Sequence, residues 1–141
     1  PLPIDDSDGG SDSNDGHEPV HTRTWSRQTD AISIDADADF ISDDGDEVYA
    51  IMQASGVDHL LLCGVHANMC ILDRSFGIKN LVPRGLRVTL LREFTDALYN
   101  PAMRPYVSHD EGTRLVIAYI EKFWCPTAAN VRISSDDSAR E

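Results

Sequence analysis

The chain has 141 residues, enough for one ordinary domain with a single core, and 41% of them are apolar. Its formal net charge is −12, and residues 1–47 hold 14 Asp or Glu against two Lys or Arg, whereas residues 48–141 hold ten of each. Such an acidic segment repels nucleic-acid phosphates and anionic lipid, and no apolar run has the length of a membrane span. We therefore expect neither a nucleic-acid nor a membrane partner.

The first third, residues 1–42, is predicted to be an acidic, loop-rich segment. Pro1–Arg23 has the Pro, Gly, Ser and Asp content of a solvated arm, while Ala31–Ile34 alternates like a short strand. The first carboxylates of the segment are Asp5, Asp6, Asp8 and Asp12. They lack the spacing of a calcium-binding loop, so a solvated linker is the simpler interpretation.

Residues 43–133 are predicted to form an α/β domain, followed by a tail at 134–141. Asp43 or Asp44 can cap a first helix that Gly56 ends. Val57–Val65 is a continuous apolar run, which is typical of a parallel strand covered on both faces.

The rest of this domain repeats the alternation of helix and strand. Asn68 can cap a second helix that ends at Pro83, and Arg87–Arg92 reads as a second strand. Glu111–Trp124 has apolar residues at helical spacing and is followed by Pro126. This order predicts an α/β fold with a mostly parallel sheet and helices on both of its faces.

The three cysteines leave one unpaired in any disulfide scheme, and they form no short metal-binding pair. This favours reduced thiols in a reducing compartment such as the cytoplasm. Cys63 is interpreted as a small buried hydrophobe in its strand. His66, His109 and Cys125 lack the spacing of zinc ligands, so we predict no metal and no cofactor.

Cys70 is the candidate nucleophile, because it follows the carboxyl end of a predicted strand and lies in the first turn of a predicted helix. Ligands of open α/β sheets bind in this crevice, and a helix start there offers N–H groups that stabilise a thiolate. The alternative is a half-buried structural thiol on an amphipathic helix.

The run Gly56–Leu72, GVDHLLLCGVHANMCIL, resembles the signature of the isochorismatase-like cysteine hydrolases, in which a strand G-(I/V)-x-x-(L/V)-x-(L/V)-x-G leads to x-T-x-x-C-(V/I). The similarity continues through Gly85–Val88 and Thr95–Ala97. It implies a Rossmann-like three-layer α/β/α sandwich that hydrolyses amide-type C–N bonds or, in the namesake, a vinyl ether. It also implies a homo-oligomer, because family members commonly associate.

The resemblance makes Cys70 the nucleophile that attacks a small-molecule carbonyl. It further implies an oxyanion hole made by the backbone N–H groups of His66 and Cys70, and a cis peptide bond between Val65 and His66. On this basis the chain is expected to be a cysteine hydrolase.

The chain departs from the family at two of three catalytic positions. The family's first strand and its Asp would lie before Pro1, and no Lys precedes Lys79; Asp37 stands near the Lys position instead. Since a carboxylate cannot replace an ammonium beside a thiolate, the positive charge would have to come from Arg23 or Arg27.

We therefore assign substrate-binding roles to Arg27 and Asn68. The alternative is a non-catalytic or truncated domain that keeps the scaffold, with or without a ligand pocket.

Overall fold

The computed structural model describes residues 1–11 and 27–131. Its elements, in chain order, are α1 (Gly45–Ala54), β1 (His59–Val65), α2 (Cys70–Asp73), α3 (Ile78–Leu81), a 3₁₀ turn (Val82–Arg84), β2 (Arg87–Asp96), α4 (His109–Phe123) and β3 (Thr127–Ala128). The strand expected at Ala31–Ile34 is wrong: these residues form a turn and irregular backbone, and all four are exposed. An alternating pattern makes a strand only where a neighbouring strand accepts its hydrogen bonds.

The three strands form one parallel sheet in the order β1-β2-β3. The register starts with His59 beside Arg87 and shifts between Leu62 and Gly64, so that Val65 ends beside Asp96. The predicted α/β class with a parallel sheet is confirmed. The carboxyl ends of β1 and β2 meet at one edge, where the segment that carries Cys70 begins.

One hydrophobic cluster joins the sheet to the helices. Its largest fully buried side chains are Leu72, Ile78, Leu81, Leu90, Tyr99, Val116 and Ile120. They come from α2, α3, β2, α4 and the connection after β2. No helix in the described part of the chain has the length and apolarity that a bilayer crossing requires.

The first residues of the chain pack against this core. Ile4 is 6% exposed and belongs to the buried cluster. The backbone N–H of Asp5 donates to the carbonyl of Arg104 (2.9 Å), and Asn100 Nδ2 donates to Asp8 Oδ2 (2.8 Å). Residues 1–11 form no helix or strand, in keeping with the expected loop, but a solvated linker is wrong for them. Burying an isoleucine is worth about 1.5–3 kcal/mol, which fastens the segment to the core. The remainder of that arm, residues 12–23, lies outside the described residues.

β1 is covered on one face only. Its residues alternate between exposed and half-buried, and the exposed set includes Leu61, Cys63 and Val65. The expectations of a strand covered on both faces and of a buried Cys63 are wrong. A continuous apolar run indicates what a strand is able to bury, but the packing of other elements decides what it does bury.

The first and last of the predicted helices, α1 and α4, begin close to their predicted positions. Asp44 caps α1, and its Oδ1 accepts from the backbone N–H groups of Asp46 (2.8 Å) and Glu47 (3.1 Å). Ser108 caps α4 in the same way and accepts from Glu111 N–H (3.2 Å), so this helix starts two residues before the predicted position.

The single helix expected after Asn68 is instead divided into α2, α3 and the 3₁₀ turn. The division falls around Gly77, where a Cβ would lie 2.9 Å from the carbonyl oxygens of both Ile71 and Leu72. The backbone folds back on α2 at this point, which an uninterrupted helix would not permit.

Candidate functional site

Cys70 opens onto a cavity of about 520 Å³, a size suited to a small molecule. The cavity lies between the N-terminal residues and the start of α2. Its lining residues are Leu2, Asp6, Asn68, Met69, Cys70, Asp73 and Arg74. The half-buried Cys70 therefore faces accessible space at the carboxyl edge of the sheet, as the sequence predicted.

Two backbone donors next to this cysteine have no acceptor. The N–H groups of Met69 and Ile71 both donate to the carbonyl of His66, at 3.0 and 3.2 Å. In contrast, nothing within residues 1–11 and 27–131 accepts a hydrogen bond from the N–H of His66 or of Cys70. These are the two donors that the resemblance assigns to an oxyanion hole. The peptide bond between Val65 and His66 is cis, as the resemblance implies.

The helix that starts at Cys70 is short. α2 has four residues, and its N-cap residue Met69 forms no side-chain capping bond. A single turn carries only a small dipole, so the unpaired N–H groups are the main electrostatic feature that the backbone offers here.

The side chain of Asn68 forms hydrogen bonds with two distant parts of the chain. Its side chain is 2% exposed; Nδ2 donates to Asp6 Oδ2 (2.9 Å) and to the carbonyl of Leu98 (3.1 Å), and Oδ1 accepts from Leu98 N–H (2.8 Å). The expected N-cap role is wrong, because the amide is used to join the N-terminal residues and the connection after β2. Its assignment to substrate binding stays a prediction.

Arg27 does not line this cavity. It forms a two-pronged pair with Asp30, and the two side chains are 69% and 81% exposed. Asp37, near the family's Lys position, is also exposed, and its N–H donates to Asp35 Oδ1 (3.0 Å). The other candidate cation, Arg23, lies outside the described residues.

Among the described residues that line the cavity, Arg74 is the cation, and the sequence did not single it out. It lies four residues after Cys70, and its backbone N–H donates to the Cys70 carbonyl (3.3 Å). Residues four apart in a helical turn are neighbours, so this spacing was the available signal.

The two carboxylates of the cavity are already engaged. Asp6 accepts from Asn68, and Asp73 Oδ1 accepts from Lys79 Nζ at 2.6 Å. Sequence reasoning missed Asp6 as a site residue because only tertiary packing brings it to Cys70. The pair between Asp73 and Lys79 leaves Arg74 as the cation that faces the cavity.

A second polar cluster lies at the end of β2. His109 Nε2 is 3.0 Å from each carboxylate oxygen of Asp96, and Asp96 Oδ1 also accepts from Thr113 Oγ1 (2.6 Å) and Ala97 N–H (2.9 Å). Burial opposes ionisation of Asp96, but these hydrogen bonds and the charge of His109 outweigh it and hold the pKa below its ordinary value. The carbonyl of Asp96 accepts from Ala67 N–H (2.7 Å), which joins this cluster to the loop beside Cys70.

The three thiols occupy different environments. Cys63 is exposed, Cys70 is half-buried and Cys125 is buried, and none is in a disulfide. Burial raises the pKa of Cys125, only partly opposed by a backbone hydrogen bond with Leu90. Among the residues that the structure describes, no three His, Cys, Asp or Glu side chains are close enough to share a metal ion.

Comparison with known proteins identifies no relative. No protein-family model matches the chain, and neither a curated protein nor a solved structure matches it. The likeness to the isochorismatase-like hydrolases therefore depends on the motif around Cys70.

Proposed function

We propose that this chain is a cysteine hydrolase of the isochorismatase-like type, with the three-layer fold of that family, and that it acts on an amide-type or related carbonyl of a small molecule. One observation carries the proposal. Cys70 lines a cavity, and two backbone N–H groups, its own and that of His66, have no acceptor in the described part of the chain.

In the proposed reaction, the sulfur of Cys70 attacks the carbonyl carbon, and the carbonyl oxygen takes up the negative charge. The N–H groups of His66 and Cys70 donate to this oxygen, and each such donor is worth about 3 kcal/mol of barrier. Collapse of the intermediate expels the amine, which takes the proton that the thiol gave up. Water then attacks the thioester, releases a carboxylic acid and returns a proton to sulfur.

Arg74 takes the role of the positive charge that the sequence analysis had sought in Arg23 or Arg27. It lines the same cavity as Cys70 and lies one helical turn further along the chain. A guanidinium there supplies a positive charge that attracts anionic groups in the cavity. Its exposure to solvent limits this effect to the strength of a surface ion pair.

The alternative is a non-catalytic domain that binds a small molecule in the same cavity. The lining of the cavity favours it in one respect, since the lining residues that the structure describes include no lysine. The two functions differ in what they require of the sulfur: hydrolysis needs a reactive thiolate, whereas binding does not.

The experiment measures alkylation of each cysteine by iodoacetamide near neutral pH, with the labelled peptides identified by mass spectrometry. Cys63 is an internal control, because it is more exposed than Cys70. The proposal requires Cys70 to be labelled faster than Cys63 despite its lower exposure, with Cys125 slowest. Rates that simply follow exposure would contradict it and favour the binding domain.

Substitutions at Arg74, Arg114 and Cys70, together with a covalent acyl adduct, test the proposal further. Arg74→Gln should slow labelling of Cys70 by up to about fivefold, the worth of an exposed ion pair, whereas Arg114→Gln on α4 should leave it unchanged. Incubation with small activated esters and amides should add an acyl mass to Cys70, and Cys70→Ser should abolish this adduct.

A further inference from the structure

His109 stands between two hydrogen-bond acceptors. Its Nδ1 is 3.0 Å from the carbonyl oxygen of Tyr99, and its Nε2 is 3.0 Å from both carboxylate oxygens of Asp96. A neutral imidazole carries one N–H and is able to donate at only one of its nitrogens. The imidazolium, with two N–H groups, satisfies both contacts.

Asp96 is not able to supply the missing proton. Thr113 Oγ1 and the N–H of Ala97 both donate to its Oδ1, at 2.6 and 2.9 Å. Both contacts favour the ionised carboxylate, which has no hydrogen to donate. Oδ2 receives neither of these bonds, but the pKa of Asp96 is held below its ordinary value, which favours placing the proton between Asp96 and His109 on the histidine.

Several charged groups lie around His109. Asp96 faces it from β2, and Asp110 and Glu111 occupy the same first turn of α4. The N-terminal end of α4 opposes a positive charge on His109, whereas the Asp96 carboxylate, in direct contact with the ring, favours it.

The contacts of His109 with Asp96 and Tyr99 join the two ends of the connection between β2 and α4, residues 97–108. Asp96 and Tyr99 stand at the start of the connection and His109 just past its end. The connection in turn holds the N-terminal residues, through Arg104 with Asp5 and Asn100 with Asp8. Leu2 and Asp6, from the same N-terminal segment, line the cavity at Cys70.

We propose that Asp96, His109 and the Tyr99 carbonyl form a proton-dependent clasp, closed while His109 carries two ring protons and loosened at one contact when it loses one. The clasp holds the connection 97–108 and, through it, the N-terminal residues against the core. It depends on the side chains named and not on any reaction of Cys70. Its stabilising effect is present at low pH and is lost as the pH rises through the titration of His109.

The test compares melting temperatures of the wild-type chain, His109→Gln and His59→Gln from about pH 5.5 to about pH 9. Glutamine has an N–H to donate at one contact only, so His109→Gln should melt about 2–4 °C lower at acidic pH, with the difference shrinking as pH rises. His59→Gln is the matched control, because its ring contacts Thr89 Oγ1 (2.9 Å), a hydroxyl that both donates and accepts. It should show no such trend.

Asp96→Asn separates a proton-dependent clasp from a merely structural contact. The asparagine oxygen retains the bonds from Thr113 and Ala97, and its amide N–H is able to donate to a neutral His109. The pH dependence of melting should therefore flatten or reverse in this variant.

The NMR titration of the histidine rings is the second readout, and it needs no variant of His109. His109 should keep its second proton to higher pH in the wild-type chain than in Asp96→Asn, because only the wild-type chain places a carboxylate against Nε2. If His109 titrates at the same pH in both chains, or if His109→Gln lowers the melting temperature equally at every pH, the clasp is overturned.

Discussion

At the scale of single residues, the three thiols differ in what surrounds each sulfur. Cys70 adjoins Arg74 and two N–H groups that have no acceptor in the described part of the chain, whereas Cys63 lies on an open strand face and Cys125 in the core. Exposure alone would rank Cys63 first. The local electrostatic environment, and not accessibility, is thus the basis for proposing Cys70 as the nucleophile.

A prediction at this scale concerns the acid stability that Asp96 confers. Its pKa is below the ordinary value in the folded chain, so its contribution is present above about pH 4 and is lost as pH falls through the folded pKa. Thr113→Val removes the hydroxyl that donates to Asp96 and should cost about 1 kcal/mol at neutral pH, since the carboxylate is half-exposed.

Urea denaturation at neutral pH and near pH 3 would check this, because the cost of Thr113→Val should shrink in acid. Thr127→Val is the control, since Thr127 Oγ1 donates to Glu121 (3.0 Å) at the surface. An equal cost at both pH values would mean that the hydroxyl acts only by packing.

At the scale of elements, the N-terminal residues behave as part of the domain although they form no helix or strand. Ile4 is buried with the core, and Asp6 and Asp8 bond to Asn68 and Asn100. Local sequence favoured a solvated arm because its composition is dominated by Pro, Gly and Asp. One apolar side chain and a few hydrogen bonds with distant partners are enough to fasten it.

Ile4→Ala should therefore lower the free energy of unfolding by about 2–4 kcal/mol, the usual cost of truncating a buried isoleucine. Ile34→Ala is the matched control: Ile34 is 42% exposed in the other loop segment and should change the stability by less than about 0.5 kcal/mol. Urea denaturation measures both. Similar small effects would show that residues 1–11 do not contribute to the core.

At the scale of the whole molecule, two features act in opposite directions on association between copies of the chain. The exposed edge strand β1 favours it, and the large negative net charge disfavours it. β1 lies at one edge of the described sheet and exposes Leu61 and Val65, and it carries no Asp, Glu, Lys or Arg. Such an edge is a template for pairing with another chain. Because β1 carries none of these charged residues, two copies of the strand can pair without electrostatic repulsion between them. The net charge of −12, in contrast, makes whole molecules repel each other.

We therefore expect homo-association that strengthens with salt, since the Debye length falls from about 8 Å at physiological ionic strength to about 3 Å at 1 M. Leu61→Lys places a charge on the strand and should abolish the salt-dependent increase in mass, measured by light scattering. Phe123→Lys, on the exposed side of α4, is the control and should retain it. If Phe123→Lys abolishes association and Leu61→Lys does not, the contact between copies does not involve β1.

The sequence by itself determined the elements with strong local signals: a helix capped by Asp43 or Asp44, the apolar spacing of α4, and the strand that leads to Cys70. These depend on backbone hydrogen bonds and on periodicity within a few residues, which the chain order specifies directly. Only the tertiary structure decided that Arg74 and Asp6, not Arg27, share the cavity with Cys70, and that Cys63 is exposed. The same holds for His109, which meets Asp96 across a long connection. The physical reason is that burial, ion pairs and shared protons depend on residues distant in sequence, whose approach is set by the packing of the whole core.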